Sequence, residues 1–159
     1  MRLLFVCSGN ICRSPTAEGV LRHLAHAASL DVEVDSAGLG GWHTGEAPDP
    51  RTVRHAKARG YDLSTLRARQ IAPADFLFFD RIYAMDQGHV RDLARLAPAL
   101  HRAKVSLFLD VLARAADAAA IGHEVPDPYY GGAEGFDTVL DLVEAGCRAI
   151  VAELARSRR

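Results

Sequence analysis

The sequence predicts an α/β fold, a parallel, twisted, four-stranded sheet with helices on both faces, making three layers. Short apolar runs bounded by turn residues alternate with segments of 3.6-residue periodicity, the pattern of strands joined by helical crossovers. The first apolar run passes directly into a tight loop and a helix start, as βα units do. The length, 159 residues with 49% apolar and 25% charged side chains, suits one globular domain, residues 1–159, burying about 70% of its unfolded surface.

Each element has a local reason. Leu3-Leu4-Phe5-Val6 makes a buried strand over Arg2–Cys7. In the loop that follows, Gly9 and Asn10 are the residues suited to positive φ. Ser14 is read as an N-cap and Pro15 as the first position of a helix to Ser29. A strand at Glu33–Ser36 follows, and Asp49-Pro50 opens a helix over Asp49–Arg59, with Gly60 at its C′ position. Further on come a strand at Arg81–Met85, a helix at Gln87–Ala97 and a strand at Lys104–Ser106. Asp110–Glu124, rich in alanine, is open between helix and loop. The last helix, Phe136–Arg156, aligns Val139, Leu142, Val143, Gly146, Ile150, Val151 and Leu154 on one stripe, which must face the sheet.

Bulk properties exclude several functions. A net charge of −1 leaves no basic excess for a nucleic-acid binder, and the Arg156-Ser157-Arg158-Arg159 end reads as a solvated terminus. Three cysteines, an odd number without metal-ligand spacing to histidine, suggest reduced thiols in a cytoplasm, with no metal and no cofactor. Without a signal-like apolar segment or an 18-residue apolar run, membrane insertion is not expected.

The chemistry concentrates in Cys7-Ser8-Gly9-Asn10-Ile11-Cys12-Arg13-Ser14-Pro15. Strand end, loop and helix N-terminus aim N–H groups and a dipole at one spot, a site for phosphate-like oxygens. A thiol placed there is favoured as thiolate, the nucleophilic form. Arg13 can grip two oxygens at once. Ligands of open α/β sheets bind beyond the strand C-termini, and Cys7, Ser36, Asp86 and Asp127 are all expected to arrive there.

That segment resembles the phosphate-binding loop of the low-molecular-weight protein tyrosine phosphatases. Asp35-Ser36-Ala37-Gly38, Ala68-Arg69-Gln70-Ile71, Phe79-Asp80-Arg81-Ile82-Tyr83-Ala84-Met85-Asp86 and Asp127-Pro128-Tyr129-Tyr130-Gly131 resemble further family segments in the family's order. The resemblance covers nearly the whole chain and implies the flavodoxin-like fold of that family. It implies hydrolysis of phosphotyrosine through a phosphocysteine on Cys7, with Arg13 and the amides of Ser8 to Arg13 on the phosphate and Asp127 as general acid and base. Asn10, Ser14 and Ser36 would support the loop, while Ile11, Trp42, Tyr129 and Tyr130 would select an aryl phosphate. Ile11 sides with tyrosine phosphatases, since the arginine phosphatases of the superfamily carry threonine there. For Cys12 two readings stand level, a space-filling buried thiol and the partner of Cys7 in a reversible disulfide; Cys147 is read as core.

The implied partner is a phosphotyrosine protein, such as a bacterial tyrosine kinase, met by a monomer or weak dimer. An arsenate reductase of this fold would need relay cysteines in residues 79–100, and there are none. A non-catalytic phosphotyrosine-binding module would be expected to have lost Cys7, Arg13 or Asp127. Two departures stand out: Leu66, where many relatives have a histidine bracing the loop asparagine, and His89, near where others have asparagine. Neither is expected to touch the chemistry, and Asp80 and Asp86 are expected to be structural.

Overall fold

Leu3, Phe5 and Cys7 lie on one side of the first strand and Leu4 and Val6 on the other, and all five are buried. A strand at the middle of a sheet covered on both faces requires this pattern. In the computed structural model, which describes residues 1–115 and 124–159, that strand is β1 (Arg2–Cys7). It joins β2 (Glu33–Gly38), β3 (Arg81–Ala84) and β4 (Val105–Leu107) in one all-parallel sheet of order β2-β1-β3-β4. The helices are α1 (Arg13–Ala27), α2 (Pro50–Ala58), α3 (Pro73–Phe78), α4 (Gln87–Leu96), α5 (Asp110–Arg114) and α6 (Ala133–Ser157), with a 3₁₀ turn at Ala99–Lys104 before β4. None of the described helices is long and apolar enough to cross a membrane.

Two apolar layers follow from the strand alternation. Leu3, Phe5, Tyr83 and Met85 pack with Ala17, Val20 and Leu21 of α1 and Val139, Val143 and Ile150 of α6. Phe5 stacks on Tyr83 and meets Phe108 edge-on at 5.1 Å. On α6, Gly146 brings the helix down onto Phe108, whose ring lies 2.5 Å from where a Cβ would stand. On the other face, Leu4, Val6, Ile82 and Ala84 pack with Phe76, Phe79, Leu93 and Ala97.

The helix starts differ instructively from expectation. Helix α1 begins at Arg13 with Cys12 at the N-cap and no side-chain cap. Pro15 is thus the third helical residue, and Ser14 is not the cap because its hydroxyl is committed to the loop below. Thr16 instead binds the Cys12 carbonyl through Oγ1 at 2.7 Å. At α2 the expectation holds: Asp49 accepts from the Arg51 N–H at 2.8 Å, and Gly60 has φ of +91°. Helix α3 was not anticipated; Pro73 opens it and Asp75 turns back onto the Ala72 N–H at 2.7 Å. Of the open stretch Asp110–Glu124, the first residues form α5, while 116–123 lie outside the described residues. Beyond them, the Val125 N–H binds the Met85 carbonyl at 2.9 Å. That bond brings Asp127 to the C-terminal edge of the sheet, beside the ends of β1 and β3.

Candidate active site

The segment between β1 and α1 folds around a single side chain. Asn10 is buried at φ of +60°, a conformation asparagine tolerates better than most residues. Its amide donates to Ser14 Oγ at 2.8 Å and Ser36 Oγ at 2.9 Å and accepts from the Arg69 N–H at 3.0 Å. Ser36 passes the chain on to buried Glu18 at 2.6 Å, and Arg22 closes it at the surface, 2.6 Å from the same carboxylate. Burial pushes the Glu18 carboxyl above its usual range, against the opposing pull of Ser36 and Arg22. Leu66, one of the two departures, packs against the core, and the Arg69 amide and the Ser36–Glu18 pair hold Asn10. Gly9 does not take positive φ; among non-glycine residues only Asn10 and Ser29 do in the described chain. A Cβ on Gly9 would instead stand 3.1 Å from the His43 ring.

Cys7 sits beneath this loop, 3% exposed. Its sulfur lies 3.0 Å from Ser14 Oγ. Since that oxygen accepts from Asn10, its own proton can point to the sulfur, a hydrogen bond a thiolate accepts. Among the described residues none accepts a hydrogen bond from the backbone N–H groups of Ser8 through Arg13. The cup therefore keeps its donors for a ligand, as an anion site at a helix N-terminus does.

Arg13 is 4% exposed and enters the same cup. Nη1 donates to Asp86 Oδ2 at 2.9 Å and the Val125 carbonyl at 3.2 Å, while Nη2 stands 3.7 Å from Asp127 Oδ2. Burial works against the charge on Asp86, but the His89 N–H and the Arg13 guanidinium outweigh it and hold its carboxyl below the usual range. Asp127 Oδ1 accepts from the Tyr129 N–H at 3.1 Å, an Asx turn that fixes the carboxylate at the mouth.

These groups floor a cleft of about 230 Å³ whose lining also includes Ile11, Trp42, His43, Tyr129 and Tyr130. Trp42 lies across Gly40, in space a Cβ would occupy. Tyr129 and Tyr130 meet edge-on at 4.9 Å. Every residue proposed from sequence for phosphate, proton transfer or substrate selection thus lines this cleft or braces its floor. Cys12 also lines it, and burial pushes its thiol up to about 12. Cys147 is fully buried, as expected of core. No group of three or more His, Cys, Asp or Glu side chains among the described residues could hold a metal ion.

Four contributors were missed. Asp86, expected to be structural, grips Arg13. His89, expected to be remote from the chemistry, reaches Ser8 Oγ at 2.8 Å. His43 lines the cleft beside Gly9, paired with Glu46 at 2.8 Å. Asp49 does more than cap α2: it holds the Arg51 guanidinium at 2.8 Å, which packs over the Tyr129 and Phe136 rings. Asp49-Pro50-Arg51 had a local signal, whereas the contacts that bring Asp86, His89 and His43 to the site join residues tens of positions apart.

Comparison with known proteins bears on the whole chain. Residues 2–159 match the family described as low molecular weight phosphotyrosine protein phosphatase. A low molecular weight protein-tyrosine-phosphatase of Streptomyces coelicolor is 47% identical, with 95% of this chain and 92% of that protein aligned. The crystal structure of a protein tyrosine phosphatase from Entamoeba histolytica superposes with a TM-score of 0.91 at 36% identity, covering 100% of this chain and 99% of that one. A Drosophila arginine phosphatase superposes with a TM-score of 0.86 at 33% identity, covering 96% and 97%. The family match spans residues 2–159 and the superposition covers the whole chain, and the chain belongs to the low molecular weight phosphotyrosine protein phosphatase family.

Proposed function

We propose that the protein hydrolyses phosphotyrosine in protein substrates through a covalent phosphocysteine on Cys7. The observation that carries this reading is the cup of uncommitted N–H groups from Ser8 to Arg13 around the Cys7 sulfur, with Arg13 and Asp127 converging on its mouth. In the first step the thiolate attacks phosphorus, an S–P bond forms and the P–O bond to tyrosine breaks. Asp127 gives its proton to the departing phenolate oxygen. In the second step Asp127 takes a proton from water, which attacks phosphorus and returns Cys7 as thiolate with release of phosphate. Arg13 and the loop amides hold the equatorial oxygens throughout. Asn10, Ser14 and Ser36 keep the cup in shape.

Substrate choice comes from depth. Cys7 is buried, and Ile11, Trp42, Tyr129 and Tyr130 stand above it. A flat aryl ring fills such a slot and reaches the sulfur, where a phosphoserine side chain falls short. Ile11 gives an arginine side chain no polar partner, which favours tyrosine over phosphoarginine. We take the partner to be a phosphotyrosine protein, a bacterial tyrosine kinase being one candidate, and the setting to be a reducing cytoplasm in which the protein acts as a monomer or weak dimer. Under peroxide, Cys7 oxidised to a sulfenic acid can be attacked by Cys12, forming the Cys7–Cys12 disulfide and releasing water. Burial keeps the Cys12 proton in place, which argues against Cys12 and for Cys7 as the group that attacks phosphorus.

The test is phosphate release from phosphotyrosine, phosphoserine and phosphoarginine peptides in EDTA. Wild type should act far faster on phosphotyrosine, and Cys7→Ser should abolish turnover while still binding inorganic phosphate. Undiminished turnover by Cys7→Ser, or equal rates on the three peptides, would overturn the reading.

A further inference from the structure

His89 is 4% exposed, and its Nδ1 is buried with no hydrogen-bond partner of good geometry. Asp86 Oδ1 stands 3.3 Å from that atom but off the line of a hydrogen bond, and it accepts instead from the His89 backbone N–H at 2.9 Å. At the other edge of the ring, Nε2 lies 2.8 Å from Ser8 Oγ. Ser8 Oγ is itself 3.5 Å from Arg13 Nη2, and Arg13 Nη1 returns to Asp86 Oδ2 at 2.9 Å. Arg13, Ser8, His89 and Asp86, from the loop, α1 and the start of α4, thereby form a circuit, in which His89 joins Asp86 through its backbone N–H and the 3.3 Å approach of Nδ1 to the carboxylate.

We infer that His89 is a positioning residue for the phosphate site, locking Ser8 and, through Ser8 and Asp86, the plane of the Arg13 guanidinium. This deepens the phosphatase reading and rests on it. The Asp86 carboxylate next to Nδ1 favours the proton there, which leaves Nε2 to accept from the Ser8 hydroxyl. Ser8 then turns a lone pair toward Arg13 Nη2. Each link fixes the polarity of the next, and a planar, bidentate grip on phosphate depends on that orientation. Burial and the Arg13 charge lower the proton affinity of His89, in keeping with a neutral ring acting as acceptor.

Asparagine and glutamine separate the two edges of the imidazole, since an Asn amide reaches the Nδ1 position and a Gln amide the Nε2 position. The measurement is the Kd of inorganic phosphate by calorimetry, alongside kcat/KM on p-nitrophenyl phosphate, for wild type, Ser8→Ala, His89→Asn, His89→Gln and the Ser8→Ala/His89→Asn double variant. We expect phosphate binding to weaken about tenfold in Ser8→Ala and in His89→Asn, and no further in the double variant, because both break one circuit. His89→Gln should recover most of the loss. Thermal melts establish that each variant is folded. Independent, multiplying effects of the two single changes, or a Gln variant no better than Asn, would overturn the inference. The phosphatase reading has its own check in the loss of turnover by Cys7→Ser, and the phosphate Kd values remain decisive for His89 whichever way that falls.

Discussion

Asn10, at the floor of the cleft, is 2% exposed, and its one amide meets three partners from three parts of the chain. Trp42 and Tyr130, at the rim, are 73% and 94% exposed and find no side-chain hydrogen-bond partner among the described residues. The floor is over-determined: moving one group there strands several buried donors and acceptors, each costing about 1–3 kcal/mol if left unpaired. The rim is held by ring contacts and one guanidinium, which leaves it free to adapt to a peptide. In the proposed reaction, chemistry that needs sub-ångström placement falls to the first region and selection among substrates to the second. Asp127 lies where they meet, one carboxylate oxygen tied to its own loop and the other facing Arg13.

The largest effect should come from that junction. A phenolate with a pKa of about 10 leaves poorly without a proton. Asp127→Asn should therefore slow phosphotyrosine hydrolysis about 10²–10⁴-fold. With an acidic phenol such as p-nitrophenol the S–P bond should still form quickly, so rapid-quench measurements should show a burst of phenol before slow turnover. Equal loss on both leaving groups in the burst phase would place Asp127 with the floor, as a phosphate-site residue and not a proton donor.

A change in the floor should look different. Asn10→Ala removes the amide that joins Ser14, Ser36 and Arg69 and leaves alanine at positive φ, so denaturant unfolding should show a loss of about 3 kcal/mol. Because the cup itself is loosened, kcat/KM should fall about tenfold or more and by a similar factor on phosphotyrosine and p-nitrophenyl phosphate. A loss confined to phosphotyrosine would mean that floor and rim are not separable in the way their burial suggests.

What could be read from sequence follows the same division of local and distant. Leu3 to Val6, Asn10 and the Asp49-Pro50 start carry their structural instructions within a few residues, and strand, turn and helix follow. Family resemblance added Asp127 and the aromatic rim, which no spacing rule would have found. Helix α3 escaped because it has six residues, of which Leu77 and Phe78 face outward, so no helical stripe exists to detect. Ser14 was misassigned because a hydroxyl before a helix has the same sequence signature whether it caps the helix or supports a thiol. Asp86 and His89 were misjudged for a third reason: Arg13 and Ser8 are 73 and 81 positions away, and only the β1–β3 register brings them within reach.

The smallest effect should come from beneath the rim. Asp49 holds the Arg51 guanidinium, which donates to the Tyr129 carbonyl at 3.1 Å and packs over the rings of Tyr129 and Phe136. Tyr129 in turn gives its N–H to Asp127 Oδ1. Arg51 is therefore two steps from the proton that the proposed mechanism assigns to Asp127, and it touches no part of the phosphate cup. Arg51→Met keeps much of the side-chain length and apolar contact but removes the charge and the hydrogen bond to Tyr129. We expect a loss of about threefold in kcat/KM on phosphotyrosine peptides, in line with one partly exposed cation–π contact. On p-nitrophenyl phosphate, where the proton matters little, the change should be within error, and phosphate inhibition should be unaltered. The pattern matters more than the size, since it should be a faint copy of Asp127→Asn. If Arg51→Met instead weakens phosphate inhibition, the influence runs through the Asp49 N–H that binds the Ile11 carbonyl at 2.9 Å. The rim would then be mechanically joined to the floor, and the contrast drawn from burial alone would give way to a single coupled unit.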